Sequence, residues 1–214
     1  MSELLQVIAI FGGTFDPIHS GHIQAAAALQ QQFNFAEIRF IPCKQPVLKP
    51  AAQASSKQRV AMLKLAIQDH SNWLVDTREL ERKSPSYMVE TLHSLTKEYP
   101  QRSFCLILGV DAFNDLPRWH QWEELLKLTH IIIINRPGHH LQPNSVLQQV
   151  LQQHLTTNSQ LLYQIKQGAI LQVELPPSID SSTALRDAIA NGDNVMEQLP
   201  AEVWAYIIAN HIYQ

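Results

Sequence analysis

The sequence predicts an α/β protein built on a doubly wound, mostly parallel sheet with helices on both faces. Three observations lead there. Short apolar runs alternate along the chain with segments of helical periodicity, the order that parallel β-α-β units produce. The clearest of those runs, 104–108 and 131–134, show no polar alternation, as expected of strands covered on both sides. Finally, 214 residues with 45% hydrophobic and 16% charged side chains suffice for one large α/β domain and describe neither a disordered nor a fibrous chain.

Each element has its own local cause. The apolar run from Leu5 to Phe11 reads as a first strand that breaks at Gly12-Gly13, and Gly21 to Phe33 continues with a helical pattern. Glu37 to Ile41 is a second strand ended by Pro42. Ser56 to Asp69 is a helix with Val60, Leu63 and Ile67 at helical spacing, and Trp73 to Val75 is a short strand. Ser86 to Tyr99 is helical, with Val89, Leu92 and Leu95 on one face and Pro100 as its stop. A Gln-rich stretch from Leu141 to Gln167 reads as solvated helix faces and precedes a strand at Ile170 to Leu175. Two helices close the chain, Thr183 to Ala190 and about Pro200 to His211, separated by the stop signal of Gly192. There is no internal repeat and no linker-like segment, so one domain is expected.

Composition narrows the function. Sixteen Lys and Arg against nineteen Asp and Glu give a formal charge of −3, which argues against a globally basic nucleic-acid binder and requires any anion site to be local. No run approaches the roughly 18 apolar residues of a membrane span. Leu4 to Phe11 is too short for a signal segment and lacks a basic flank, so a cytoplasmic protein with no membrane partner is expected. Cys43 and Cys105 match no metal or redox spacing and read as reduced core thiols. The ten histidines are the unusual feature, open at this level to metal, catalytic or structural roles.

Ligands of an open parallel sheet bind beyond the carboxyl ends of its strands, so the chemistry is sought in the turn after each strand. After the first come Gly12, Gly13, Thr14 and Phe15, then His19-Ser20-Gly21-His22. The glycines let backbone N–H groups approach an anion, and the next helix presents its positive end. The Walker lysine and the GxGxxG spacing are both missing. His19 and His22, three apart, share a side of the first helical turn, where they suit a metal, a capping or core role, or hydrogen bonding to phosphoryl oxygens. After the second strand, Lys44 and Lys49 stand on a proline-rich loop, as solvated lysines or as cations for a ligand. Asp111 comes after the 104–108 strand and suits ribose hydroxyls or a metal; Trp119 is either core or a flat face for a ring. Arg136 comes after the 131–134 strand. Ser182 and Thr183 precede a helix as ordinary caps would, but Arg186 lies one turn on, so hydroxyls, helix amides and a guanidinium can converge on one anion.

Taken together, His19-Ser20-Gly21-His22 and Ser181-Ser182-Thr183-Ala184-Leu185-Arg186 resemble the (H/T)xGH and SSTxxR motifs of a nucleotidyltransferase superfamily with a Rossmann-like sheet. The string Gly12 to His19, with Ser86-Tyr87, Leu108 to Asp111, Trp119 and Asn135 to Gly138, resembles the bacterial nicotinate-nucleotide adenylyltransferase family over nearly the whole chain. The resemblance implies a single nucleotidyltransferase domain over 1–214, with 181–214 as a C-terminal helical segment completing the ATP site. It implies direct in-line adenylyl transfer from ATP to nicotinate mononucleotide, without a covalent intermediate, giving deamido-NAD and pyrophosphate. Mg²⁺ would accompany ATP on its phosphates, with no protein ligand assigned. By the same resemblance, Gly12, Gly13, Thr14, Phe15, His19, His22, Asp111, Ser182, Thr183 and Arg186 contact ATP, with His19, His22 and Arg186 catalytic. Lys44, Lys49, Ser86, Tyr87, Met88, Asp111, Trp119, His120 and Arg136 are the expected mononucleotide contacts. Met88 stands where the family carries threonine and cannot donate a hydroxyl hydrogen bond; His120 stands where many members carry tyrosine. A monomer or small homo-oligomer is expected, without nucleic acid. The competing readings are adenylyl transfer to nicotinamide mononucleotide or phosphopantetheine, a non-catalytic nucleotide sensor, and a zinc hydrolase built on the histidine pair.

Overall fold

The computed structural model describes residues 4–46, 48, 50–135, 140–176 and 181–214. In chain order its elements are β1 (Val7–Gly13), α1 (Ser20–Phe33), β2 (Glu37–Pro42), α2 (Ser56–Ile67), β3 (Trp73–Val75), α3 (Arg78–Glu81), α4 (Met88–Glu98), β4 (Ser103–Gly109) and α5 (Val110–Asn114). Next come β5 (His130–Ile134), α6 (Ser145–His154), α7 (Leu161–Gln164), β6 (Ile170–Val173), α8 (Ser182–Ala190) and α9 (Ala201–Ala209). The strands form one six-stranded sheet in the order β3-β2-β1-β4-β5-β6, and β1, β4, β5 and β6 pair parallel in succession. The reversal of order at β1 is the signature of a doubly wound sheet and bears out the expected class.

The chain folds as two compact units, each drawn from separated stretches: Met1–Gly12, Phe33–Ile38 and Tyr87–Pro177 in one, Gly13–Gln32, Arg39–Ser86 and Ser178–Gln214 in the other. The first has its core in the parallel strands. Ile8, Ile10, Leu106, Ile131 and Ile132 are fully buried, as uninterrupted apolar strands require. Val89, Leu92 and Leu95, the predicted inner face of α4, are buried as well. The helix opens at Met88, two residues later than the periodicity suggests, because Tyr87 is extended and the Ser86 hydroxyl is engaged by the Lys44 amide. The strand at 170 likewise stops at Val173, short of Leu175, whose backbone is tied to the Asn135 side chain.

In the second unit α2 packs against α9, with Met62, Leu63 and Ile67 buried on one helix and Val203 and Ile207 on the other. Helix α2 starts in a capping box: the Ser55 hydroxyl accepts from Gln58 N–H at 3.3 Å, and the Gln58 amide oxygen accepts from Ser55 N–H at 2.9 Å. The short helices α3 and α5 carry too little periodicity to be read from the sequence.

His130 opens β5 with no solvent exposure. Its Nδ1 accepts the Ala169 N–H at 3.1 Å, and Nε2, which then carries the ring proton, donates to the Ile165 carbonyl at 3.1 Å. Burial, only partly opposed by the Ile165 hydrogen bond, holds this imidazole below its ordinary titration range. The neutral ring is therefore part of the fold. Its contribution is complete above the ordinary histidine value of about 6.5 and is lost as pH falls through the lower folded value. Urea unfolding at a series of pH values should show stability falling below about pH 6.5, and His130→Asn, which cannot titrate, should flatten that slope.

Candidate active site

Residues 13–22 form the centre of the site. Cys43 N–H donates to the Gly13 carbonyl at 2.9 Å, which brings the turns after β1 and β2 together. A buried cation braces them: Arg59 of α2, 1% exposed, donates to the Thr14 carbonyl at 2.6 Å and, through its other terminal nitrogen, to the Cys43 carbonyl at 2.8 Å. A guanidinium has the fork to hold two carbonyls from different loops at once. Its charge also lies under the glycine turn, adding positive potential to an anion cradle. Phe15 takes the left-handed backbone (φ 50°), uncommon for a bulky residue. Its buried ring covers Gly13, where a Cβ would meet it at 3.0 Å, and meets His22 edge-on at 5.3 Å between centroids. Strain of this kind, on the order of 1 kcal/mol or more, persists where packing over-determines the turn.

His19 precedes the first residue of α1 and is buried; His22 is half-buried one turn on. Their rings lie 3.7 Å apart between centroids, tilted by 37°, and His22 Nδ1 accepts the His19 backbone N–H at 3.3 Å. That bond places the neutral ring's proton on His22 Nε2, as a donor. The spacing of three residues thus yields the shared face anticipated from the sequence. Among the described residues no three His, Cys, Asp or Glu side chains gather to hold a metal ion.

The start of α8 belongs to the same unit. Ser181 is its N-cap, accepting from Ala184 N–H at 3.2 Å. The Ser182 hydroxyl donates to the Pro17 carbonyl at 2.9 Å and so ties α8 to the loop after β1. The helix start offers an anion its opening amides, which have no intrahelical partner, and Arg186. Arg186 Nη1 donates to the Asp16 carbonyl at 2.7 Å, and Nη2 to the Thr183 hydroxyl at 3.3 Å.

Asp16 is the residue that sequence reasoning missed. Only 3% exposed, its carboxylate accepts from Gln53 N–H at 2.8 Å, Ala54 N–H at 3.0 Å and the Tyr213 hydroxyl at 2.7 Å. The available signal was an acidic residue in a mostly apolar run between the glycines and His19; its partners are far away in sequence.

Other expected residues group elsewhere. Lys44 is exposed, with its ammonium on the Arg82 carbonyl at 2.6 Å and its N–H donated to the Ser86 hydroxyl at 2.8 Å, so both residues serve a loop-to-loop contact. In the first unit, the Tyr87 and His120 rings pack at 4.3 Å between centroids. The Met88 methyl lies where Gly12 would carry a Cβ, 2.7 Å away, so a side chain at this position would require the end of the methionine to shift. Asp111 folds its carboxylate over Gly109, a Cβ there lying 2.6 Å from Oδ1. Trp119 is half-exposed, not core, and His120 is exposed. Parallel β4 and β5 end in register, Gly109 beside Ile134, so Asp111 and Asn135 leave the same edge. Lys49 and Arg136 lie outside the described residues. Both thiols are free: Cys105 is buried as expected, whereas Cys43 is half-buried, with its Sγ 3.6 Å from the Thr14 hydroxyl. Burial pushes both thiols above their ordinary range, so neither is a ready nucleophile.

With its doubly wound sheet and a histidine pair at the start of α1, the chain belongs to the cytidylyltransferase-like family, whose model matches residues 10–188. Within that class, several relatives share one name. The "Probable nicotinate-nucleotide adenylyltransferase" of Legionella pneumophila (strain Paris) is 42% identical over 208 residues, covering 97% of this chain and 99% of the relative. The protein of the same name from Methylococcus capsulatus is 36% identical over 208 residues, with the same coverage. The solved structure of Plasmodium falciparum nicotinic acid mononucleotide adenylyltransferase complexed with NaAD shares the fold, with a TM-score of 0.71, 20% identity and 97% of each chain covered. Among the described residues no helix is long and apolar enough to cross a membrane.

Proposed function

We propose that the protein transfers the adenylyl group of ATP to nicotinate mononucleotide, giving deamido-NAD and pyrophosphate. The observation that carries the reading is the convergence, within one unit, of the adjacent His19–His22 rings with the Arg186-bearing start of α8. The names of the full-length relatives support the choice of acceptor.

The chemistry suits these groups. The attacking phosphate is largely dianionic at neutral pH, its second pKa being about 6, so no strong general base is required. Catalysis reduces to positioning and to stabilising charge as the acceptor attacks the α-phosphorus and pyrophosphate leaves. His22 Nε2–H, with its tautomer set by the His19 amide, is the donor we assign to the phosphoryl oxygens. Arg186 and the opening amides of α8 would hold the β and γ phosphates, with Gly12 to Phe15 as the backbone cradle. Trp119 offers its half-exposed face to the pyridine ring, and Asp111 and the Tyr87–His120 pair would flank the mononucleotide. Mg²⁺ bound to the ATP phosphates would supply charge neutralisation there; among the described residues no three His, Cys, Asp or Glu side chains gather to hold a metal ion. In this proposal 1–214 works as one catalytic domain in the cytoplasm.

Pyrophosphate release with ATP should be highest with nicotinate mononucleotide in a panel that includes nicotinamide mononucleotide and phosphopantetheine. Preference for either of the others would replace the acceptor, and ATP binding without turnover on any would favour a sensor. His22→Ala should lower kcat by a factor on the order of 10² to 10³, the usual effect of removing one transition-state donor; unchanged turnover in the folded variant would remove the assignment. Trp119→Ala should raise KM for the mononucleotide and spare that for ATP, as loss of a stacking face would, read from two-substrate kinetics.

A further inference from the structure

Resting on the reading of Arg186 as an ATP-phosphate ligand, we propose that Tyr213 and Asp16 act as a positioning pair that keeps the Arg186 guanidinium available to ATP. Asp16 Oδ2 lies 3.8 Å from Arg186 Nη1, an ion pair outside hydrogen-bond range, although both side chains are largely buried. A carboxylate this close to an arginine ordinarily closes to a forked pair with N···O distances of about 2.8 Å. Such a pair would occupy the donors that a phosphate needs and neutralise the charge that attracts it.

Here the carboxylate is already satisfied. Oδ2 accepts from Gln53 N–H, and Oδ1 from both Ala54 N–H and the Tyr213 hydroxyl. The two amides belong to the segment entering α2, and Tyr213 lies beyond α9, so the carboxylate is held from opposite directions in the sequence. Arg186 is aimed instead by the neutral Asp16 carbonyl at 2.7 Å, which orients the guanidinium without cancelling its charge. Its Nε is buried with no hydrogen-bond partner among the described residues, so the side chain is not saturated by protein groups.

Tyr213 is built for this contact. Its backbone is left-handed (φ 67°), as is that of His211 (φ 50°), which turns the chain back after α9. Ile212 between them is buried and anchors the turn. Burial and the bond to Asp16 push the phenol above its ordinary range, so it remains a donor throughout the physiological range. Removing the hydroxyl leaves Oδ1 short of one donor, and the nearest unsaturated cation is Arg186.

The test is Tyr213→Phe, which deletes one oxygen and leaves the ring. We expect KM for ATP, and the ATP dissociation constant measured by calorimetry without acceptor, to rise about five- to tenfold, with the mononucleotide KM within about twofold and kcat falling less than KM rises. Added to Tyr213→Phe, Asp16→Asn, which removes the charge that would capture Arg186, should return the ATP constants toward the wild-type values. Val203→Ala, which loosens α9 at a buried site away from Asp16, serves as the structural control and should lower Tm without this selectivity. An ATP dissociation constant unchanged in Tyr213→Phe, or equal losses for both substrates in Tyr213→Phe and Val203→Ala, would overturn the positioning role and leave the proposed reaction standing. Failure of the wild-type protein to bind ATP would instead remove the proposed reaction, and this pair with it.

Discussion

The Asp16 carboxylate is the interaction on which the anion end of this protein depends. One buried charge gathers the segment entering α2, the chain after α9 and, through its own backbone carbonyl, the arginine of α8. Burying a carboxylate without hydrogen-bond donors is costly; with two backbone amides and a phenol supplied, this one becomes a fixed point. Arg59 does the complementary work with the opposite charge, collecting carbonyls from the turns after β1 and β2. An acceptor hub and a donor hub thus define the turn between the glycines and the histidine pair.

That division explains how a chain with a net charge of −3 offers a site for a polyanion. The positive potential comes from a few placed groups: the first amides of α1 and α8, the half-buried Arg186 and the guanidinium of Arg59 beneath the loop. Exposed Lys44, by contrast, is occupied by the Arg82 carbonyl and serves the loop.

The histidines divide along the same line. His130 is a neutral structural ring with both nitrogens engaged by backbone. His154 sets Nδ1 on the Gly168 carbonyl, and His70 stacks on Trp73. His19 and His22 alone among these form an imidazole pair at a helix start, and the His19 amide fixes which nitrogen of His22 donates.

By itself the sequence determined the class of fold and most strand and helix positions, and it singled out His19, His22, Ser182, Thr183 and Arg186 as candidates, because these depend on short-range periodicity and on motifs a few residues long. Tertiary structure decided what the motifs are attached to. Asp16 lies 197 positions from Tyr213 and 170 from Arg186, and Arg59 reaches Thr14 across 45, separations at which no local pattern can show a hydrogen bond. It also assigned Ser182 to tying α8 to Pro17 and Ser86 to receiving a loop amide, roles that a motif cannot distinguish from ligand binding. The physical reason is the same in each case: side-chain chemistry is written locally, but whether a donor or charge is consumed by the protein or left for a ligand depends on which distant segment packs beside it.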